Sequence, residues 1–277
     1  MIKYFKSEKY IFIMLRENSW KYKKKFKDFE ITSYGALFFK EKRKKYLVVG
    51  DLHLGLEEAL RLSGIAIPKK QILNIKKAIS SLAKLYGYDI TIIFNGDIKH
   101  EFGGLTYEEK KDIESLISYI LERFEDLIAI KGNHDNFVIQ LLKRKGIELI
   151  DYFETKKFHI EHGHKEMDLK NINKHIVISH EHPAITLRDD VGASMKIDCY
   201  LIHKDIHDRY IVVLPSFSAY SSGLDILRIS NSDIDTNIIR EIGLEKFEIY
   251  GINKYDNEIL YFGKVKELKN IINEIIR

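Results

Sequence analysis

Three segments of this chain place carboxylates, imidazoles and an amide directly after apolar runs. YLVVG (46–50) leads into Asp51-Leu52-His53, ITIIFNG (90–96) into Asp97 with His100 three residues on, and LIAIKG (127–132) into Asn133-His134-Asp135. Two later runs end alike: FHIEH (158–162) reaches His162, inside His162-Gly163-His164, and HIVISH (175–180) reaches His180, with His182 two further on. Asp51, His53, Asp97, Asn133, His162, His180 and His182 together offer oxygen and imidazole donors and no thiolate. Such a set suits a borderline divalent ion such as manganese, iron or zinc. Seven groups exceed the needs of one ion and suffice for two if a carboxylate bridges them. Each motif alone is weak, since an isolated Asp-x-His is usually a turn with a surface histidine. The weight lies in five run ends supplying one coherent donor set.

Such donors need rigid mounts, and the intervening sequence supplies them. Pro68 is expected to open a helix that Gly87 closes, with Ile72, Ile75, Ile79, Leu82 and Leu85 at helical spacing. Thr106 and Glu109 form a capping box ahead of a second helix carrying Ile113, Leu116, Ile117 and Ile120, and 136–145 reads as a short third. Strand and helix thus alternate, the pattern of a parallel sheet with crossover helices. Ligands bind such sheets beyond the carboxyl ends of the strands, which would align the first three motifs along one rim. Gly50, Gly96 and Gly132 allow the sharp bends there. Upstream, FEITSYGALFFK (29–40) is a strand–turn–strand about Gly35, and EKRKK (41–45) a charged turn. Later strands lack long helices: 158–162, 175–180, 199–203, 210–217, 224–230, 247–252 and 259–265, before a last helix at 267–276. The residues therefore predict an α/β fold giving way to mostly β, two sheets face to face with outer helices.

With 277 residues, 45% hydrophobic, the chain can bury a large core, and its three prolines mark no linker. The expected organisation is a basic N-terminal extension (1–26), read as either loosely ordered or packed on the core, and a single domain (27–277) whose tail 231–277 is a decoration. One cysteine, Cys199, excludes an internal disulfide and a Cys-based zinc site, and fits a reducing cytoplasm. No apolar run has the length of a membrane span or a signal sequence, so a soluble cytoplasmic protein without a membrane partner is expected. The net charge of +4 permits a polyanion without requiring one. Lys23, Lys24 and Lys25 in YKKKFK, and Arg43 and Lys44 in EKRKK, are candidate phosphate contacts, with Tyr22 and Phe26 as stacking groups. The competing reading of both runs is solvated surface.

In their order, DLH, GD…H, GNHD, His-Gly and H-x-H, these motifs resemble the calcineurin-like metallophosphoesterase superfamily over roughly residues 30–230. The resemblance implies an α/β fold of four layers, an αββα sandwich of two mixed sheets with outer helices. It implies two divalent ions, manganese first, with iron, zinc or nickel as alternatives. Asp51, His53, Asp97 and His182 would hold one ion, and Asp97, Asn133, His162 and His180 the other. Alignment favours His162 over His164, because the ligand precedes the glycine. His134 would face the leaving group, with His100 and Asp135 as candidates to orient it or to contact substrate. Asp97-Ile98-Lys99-His100 is similar to the second motif of SbcD-type repair nucleases, while HEHPAITL, IVVLPSFS and LSGIAIP resemble the ligase-associated PdeM phosphoesterases. Ser179 stands where the family usually has glycine, and the residues after 230 are too few for a separate DNA-gripping cap.

Three functions follow from this reading: a phosphodiesterase or nuclease acting on DNA or RNA, a phosphoesterase acting on a small nucleotide-like substrate, and a catalytically dead binding scaffold. The scaffold predicts a missing ligand or a missing GNHD histidine, and the chain lacks neither.

Overall fold

The computed structural model describes residues 19–188, 193–218, 220–221 and 223–276. The expected extension therefore lies largely outside the described residues. Its end supplies two short edge strands, Ser19–Lys21 (β1) and Lys23–Lys25 (β2).

The first sheet runs β2-β3-β4-β5-β6-β7-β8, with β3 Phe29–Thr32, β4 Leu37–Glu41, β5 Lys44–Val49, β6 Thr91–Asn95, β7 Asp126–Ile130 and β8 Leu149–Ile150. β2 to β5 pair antiparallel, and β5 to β8 pair parallel. Between these strands come helices α1 (Leu56–Leu62), α2 (Gln71–Tyr86), α3 (Tyr107–Leu121) and α4 (Ile139–Arg144), the last entered through a single 3-10 turn at Asp135–Phe137. The second sheet takes β1 and the later strands: β9 Tyr152–Glu154, β10 Phe158–Glu161, β11 His175–Ile178, β12 Pro183–Arg188, β13 Ser194–Lys204, β14 Tyr210–Val213, β15 Leu224–Asp225, β16 Glu248–Asn253 and β17 Glu258–Lys264. Its order is β1-β17-β16-β13-β14-β11-β10-β9, with β12 branching from β13 and β15 pairing with β12. Helices α5 (Asn237–Ile242) and α6 (Val265–Ile276) accompany it.

The period-2 alternation of strand side chains makes the layers. On β5, Leu47 and Val49 pack with Ile75, Ile79 and Leu82 of α2 and Ile113 and Ile117 of α3. Tyr46 and Val48 turn the other way and meet Phe158, Val177, Val212 and Tyr250 of the second sheet. That sheet's far face, including Ile176, Ile178, Leu201 and Val213, is covered by Ile238, Ile239 and Leu268 of α5 and α6. Helix, sheet, sheet and helix form four layers around three buried clusters. Among the described residues no helix is long and apolar enough to cross a membrane.

Some element boundaries differ from the sequence expectation. α2 begins at Gln71 instead of Pro68. The reason is a cap from elsewhere, because Glu57 of α1 accepts hydrogen bonds from the amides of Lys70 and Gln71 at 2.9 and 3.0 Å. The run LDILRIS is a strand only at Leu224–Asp225, since Arg228 N bonds back to Asp225 O and closes a turn. HPAITL forms β12, and β13 is longer than CYLIH suggested, because β12 and β13 pair as a hairpin from Ala184–Asp198 to Arg188–Ser194. The Thr106–Glu109 capping box is present as read.

Candidate metal centre

The carboxyl ends of β5, β6 and β7 lie side by side in one parallel sheet, so the turns after them share a rim. His162 follows β10, and His180 and His182 follow β11 in the second sheet. The rim is thus stitched from both sheets. Four groups converge in one cluster, Asp51, His53, Asp97 and His182, and three in another, Asp97, His162 and His180; within each, the donor atoms lie within 4.8 Å of one another. Asp97 belongs to both. Its Oδ2 stands 3.5 Å from His162 Nε2, 3.7 Å from His134 Nε2 and 3.9 Å from His53 Nε2. Asn133 Oδ1 is 3.2 Å from His162 Nε2, so the amide joins the second cluster. His182 Nε2 lies 3.2 Å from Asp51 Oδ1 and 3.1 Å from His53 Nε2.

The backbone at these residues is unusual. Asp51, His53, Asp97, His180 and His182 all have positive φ, from 44° to 69°. L-residues rarely adopt this region, and doing so costs on the order of 1–2 kcal/mol each. Its concentration at the five donors says that the turns are held by their surroundings. Leu52 O, His53 O and Ser218 Oγ all accept from Nε2 of the buried Gln71, at 2.8–3.1 Å. Ser216 Oγ donates to Asp51 O at 2.8 Å, and His134 N donates to Asp97 Oδ1 at 3.0 Å. Two glycines allow close approach: a Cβ at Gly96 would stand 2.1 Å from His162 Nδ1, and one at Gly132 2.1 Å from Asp97 Oδ1.

Partners on the outer ring nitrogens set which nitrogen faces inward. His162 Nδ1 meets Asn95 O at 2.9 Å and His182 Nδ1 meets Ser221 Oγ at 3.1 Å, which leaves both Nε2 atoms to the site. Burial disfavours charge on His162, yet its contact with Asp97 and the field of Asp51 lift it to about 9. His182 is raised against the same burial by Asp51. Burial outweighs the pull of Asp51 and Asp97 on His53 and, with the neighbouring His182 and His134, pushes it down to about 4, so it is a neutral donor at neutral pH. Burial would raise both carboxylates, but the imidazoles around them hold Asp51 and Asp97 below their usual range. The rim is therefore built to attract positive charge. The buried Asp51 Oδ1 faces His182 Nε2 at 3.2 Å and has no other hydrogen-bonding neighbour. Converging carboxylate, amide and imidazole donors in a buried site fit divalent cations.

The three remaining residues of the expected site are placed as follows. His134 Nδ1 contacts the backbone carbonyl of His100, which turns Nε2 toward Asp97. The His100 imidazole makes no such contact, and its Nδ1 has no partner. Asp135 is buried; its carboxylate accepts from Ile98 N and Gly132 N at 2.9 Å each, tying the second turn to the third. Burial and the charge of Asp97 push its carboxyl up to about 6. His164 lies behind His162, ring centroids 5.2 Å apart, outside both clusters. Lys23, Lys24 and Lys25 lie on the edge strand β2, where Lys23 pairs with Glu30 at 2.9 Å and Lys24 Nζ sits 3.4 Å over the Trp20 ring. Arg43 lies in the β4–β5 turn and Lys44 opens β5, both at the end of that strand opposite Asp51, so the charged turn expected over 41–45 narrows to Lys42 and Arg43 because Glu41 already pairs with Lys44. Gln71 and Ser216 did not stand out in the sequence, because a glutamine at a helix start and a serine in a loop carry no sign of the backbone they will hold. The run PSFS after an apolar strand was the one available hint.

The calcineurin-like phosphoesterase family model matches residues 44–249. Among solved structures, the Pseudomonas putida nuclease MPE superposes with a TM-score of 0.59 at 15% identity, over 87% of this chain and 100% of that one. YfcE, a phosphoesterase from E. coli, aligns with a TM-score of 0.37 at 15% identity, over 65% of this chain and 83% of that one. Comparison with curated proteins returns no match.

Proposed function

The chain belongs to the calcineurin-like phosphoesterase family, and from that premise we propose that it is a dinuclear, metal-dependent phosphodiesterase acting on nucleic acid. The observation that carries this reading is the place of Asp97, common to both donor clusters and within 4 Å of three imidazoles. In this reading Asp51, His53, Asp97 and His182 hold one ion, and Asp97, Asn133, His162 and His180 the other. Manganese suits the mixed oxygen and imidazole donors and the lack of thiolate, with iron, zinc or nickel as alternatives. A pair of divalent ions activates water as a nucleophile and draws charge from the phosphoryl oxygens.

The chain's own residues do the rest. His134 acts on the leaving oxygen: its Nδ1 is engaged by the His100 carbonyl, so a proton can be delivered only from Nε2, the atom facing the site. Asp135 is a positioning residue, holding the Asp97 and Asn133 turns together. His100 contributes its carbonyl. Residues 27–277 form one domain in this reading, with 231–277 extending the second sheet.

Nucleic acid is favoured over a small ester by the second motif, similar to that of SbcD-type nucleases, and by the fold shared with the P. putida nuclease MPE. A small nucleotide-like substrate is the second reading, favoured by the distance of Arg43 and Lys44 from the rim. Cleavage of labelled single- and double-stranded DNA by the manganese-loaded protein, with Asp97→Ala alongside, tests the choice. Cleavage by the wild type alone supports the nuclease. A protein holding two ions that cuts neither DNA but hydrolyses nucleotides supports the second reading.

A further inference from the structure

Phe102 is out of place for a large apolar residue. It follows the Asp97–His100 turn in the short segment before α3 and is 62% exposed, although most phenylalanines among the described residues lie in the three cores. Its ring stacks on His134, centroids 3.7 Å apart and planes 28° from parallel. His100 lies nearly parallel to His134 at 6.1 Å, and His53 meets it edge-on at 5.3 Å. Next to Phe102, Gly103 and Gly104 have no atom within 4 Å of where a Cβ would stand, so the segment is unpacked on that side. One face of the phenyl ring is therefore committed to the histidine that faces the leaving group, and the residue retains much exposed surface at the rim. Leaving such a ring in water forgoes the gain a phenylalanine makes on burial, and its position adds nothing to any core.

We propose that Phe102 is a stacking platform for the nucleobase of the leaving nucleoside. The inference rests on the phosphodiesterase reading and on His134 facing the leaving oxygen. The base hangs from the sugar that carries that oxygen, so it projects past His134 to the ring stacked on it. An aromatic platform accepts every base, because each presents a π face. Specificity would then lie in the presence of a base and not in its identity, and a strand or a short nucleotide ester could supply it.

The test is a matched pair of short single-stranded oligonucleotides, one with a base and one abasic on the leaving side, repeated with dinucleotides. The wild type should prefer the base-bearing substrate through KM by about tenfold, the scale of one base–aromatic stack. Phe102→Ala should shrink that preference to about twofold or less, and Phe102→Trp should keep it. Quenching of 2-aminopurine on the leaving side, lost in Phe102→Ala, reads the stack without turnover. Preference with dinucleotides shows that a nucleotide suffices, and preference with oligonucleotides alone assigns the platform to a strand; both support it. A wild type indifferent to the base, or an equal loss on both substrates in Phe102→Ala, overturns it. A two-ion protein that cleaves neither member of either pair overturns the phosphodiesterase reading and the platform with it.

Discussion

At the residue scale, His162 shows how the centre discriminates between a proton and a metal. Asp97 and Asp51 raise it to about 9 against its burial, so without metal it is protonated at neutral pH. A ligand nitrogen must be neutral, hence metal loading releases this proton, and apparent affinity increases with pH until about 9 and levels off above. Calorimetry at pH 7 in buffers of different ionisation enthalpy should reveal proton release, and titrations at higher pH tighter binding. An affinity that falls between pH 7 and 9 would refute the coupling. The donors were legible in the sequence because Asp-x-His and Asn-His-Asp after apolar strands name both side chain and location. The orientation of His134 was not legible. It depends on the carbonyl of His100, and a carbonyl is the same in every residue.

At the scale of elements, the turns after β5 and β6 are where strain and packing meet. Gly96 has a φ of 81° and His162 occupies the space a Cβ would need. Gly96→Ala should cost ~1–3 kcal/mol of stability and displace His162, so denaturation midpoint and metal stoichiometry should fall together. Gln71→Ala removes three hydrogen bonds to the Leu52, His53 and Ser218 atoms and leaves buried acceptors unpaired. It should destabilise the protein by ~1–3 kcal/mol and weaken metal binding by ~10–100-fold, the range for groups that orient ligands. Unchanged metal affinity would separate Gln71 from the centre. The sequence revealed α3 in full, since its cap and its apolar stripe are local. It misplaced the start of α2, because the cap comes from Glu57 in a different helix. It missed α1 and α5, each under two turns and too short for a periodic signal.

Across the whole molecule, the rim joins two sheets that otherwise meet through one apolar core. Asp51, His53, Asp97 and Asn133 come from the first sheet, and His162, His180 and His182 from the second. Ions bound there would cross-link both halves of the native state, and binding to the native state alone stabilises by ~2.7 kcal/mol at a hundredfold excess over Kd. Manganese should then raise the melting temperature by ~5–10 °C, and Asp97→Ala should abolish most of the rise. Arg43 and Lys44 lie the length of β5 from Asp51, roughly 20 Å at the rise of a strand. Changing both to serine should leave KM for a short oligonucleotide, and its salt dependence, within about twofold, since a short strand held at the rim makes no phosphate contact at that distance. A larger rise in KM would route the substrate along the whole strand.

The central claim is that the rim holds two ions bridged by Asp97. The direct measurement is the number of manganese ions retained per chain, by elemental analysis after equilibrium dialysis, in the wild type and in Asp97→Ala. The account predicts two for the wild type and fewer than one for the variant. A wild type that saturates with one ion or none, or a variant that still holds two, would contradict it.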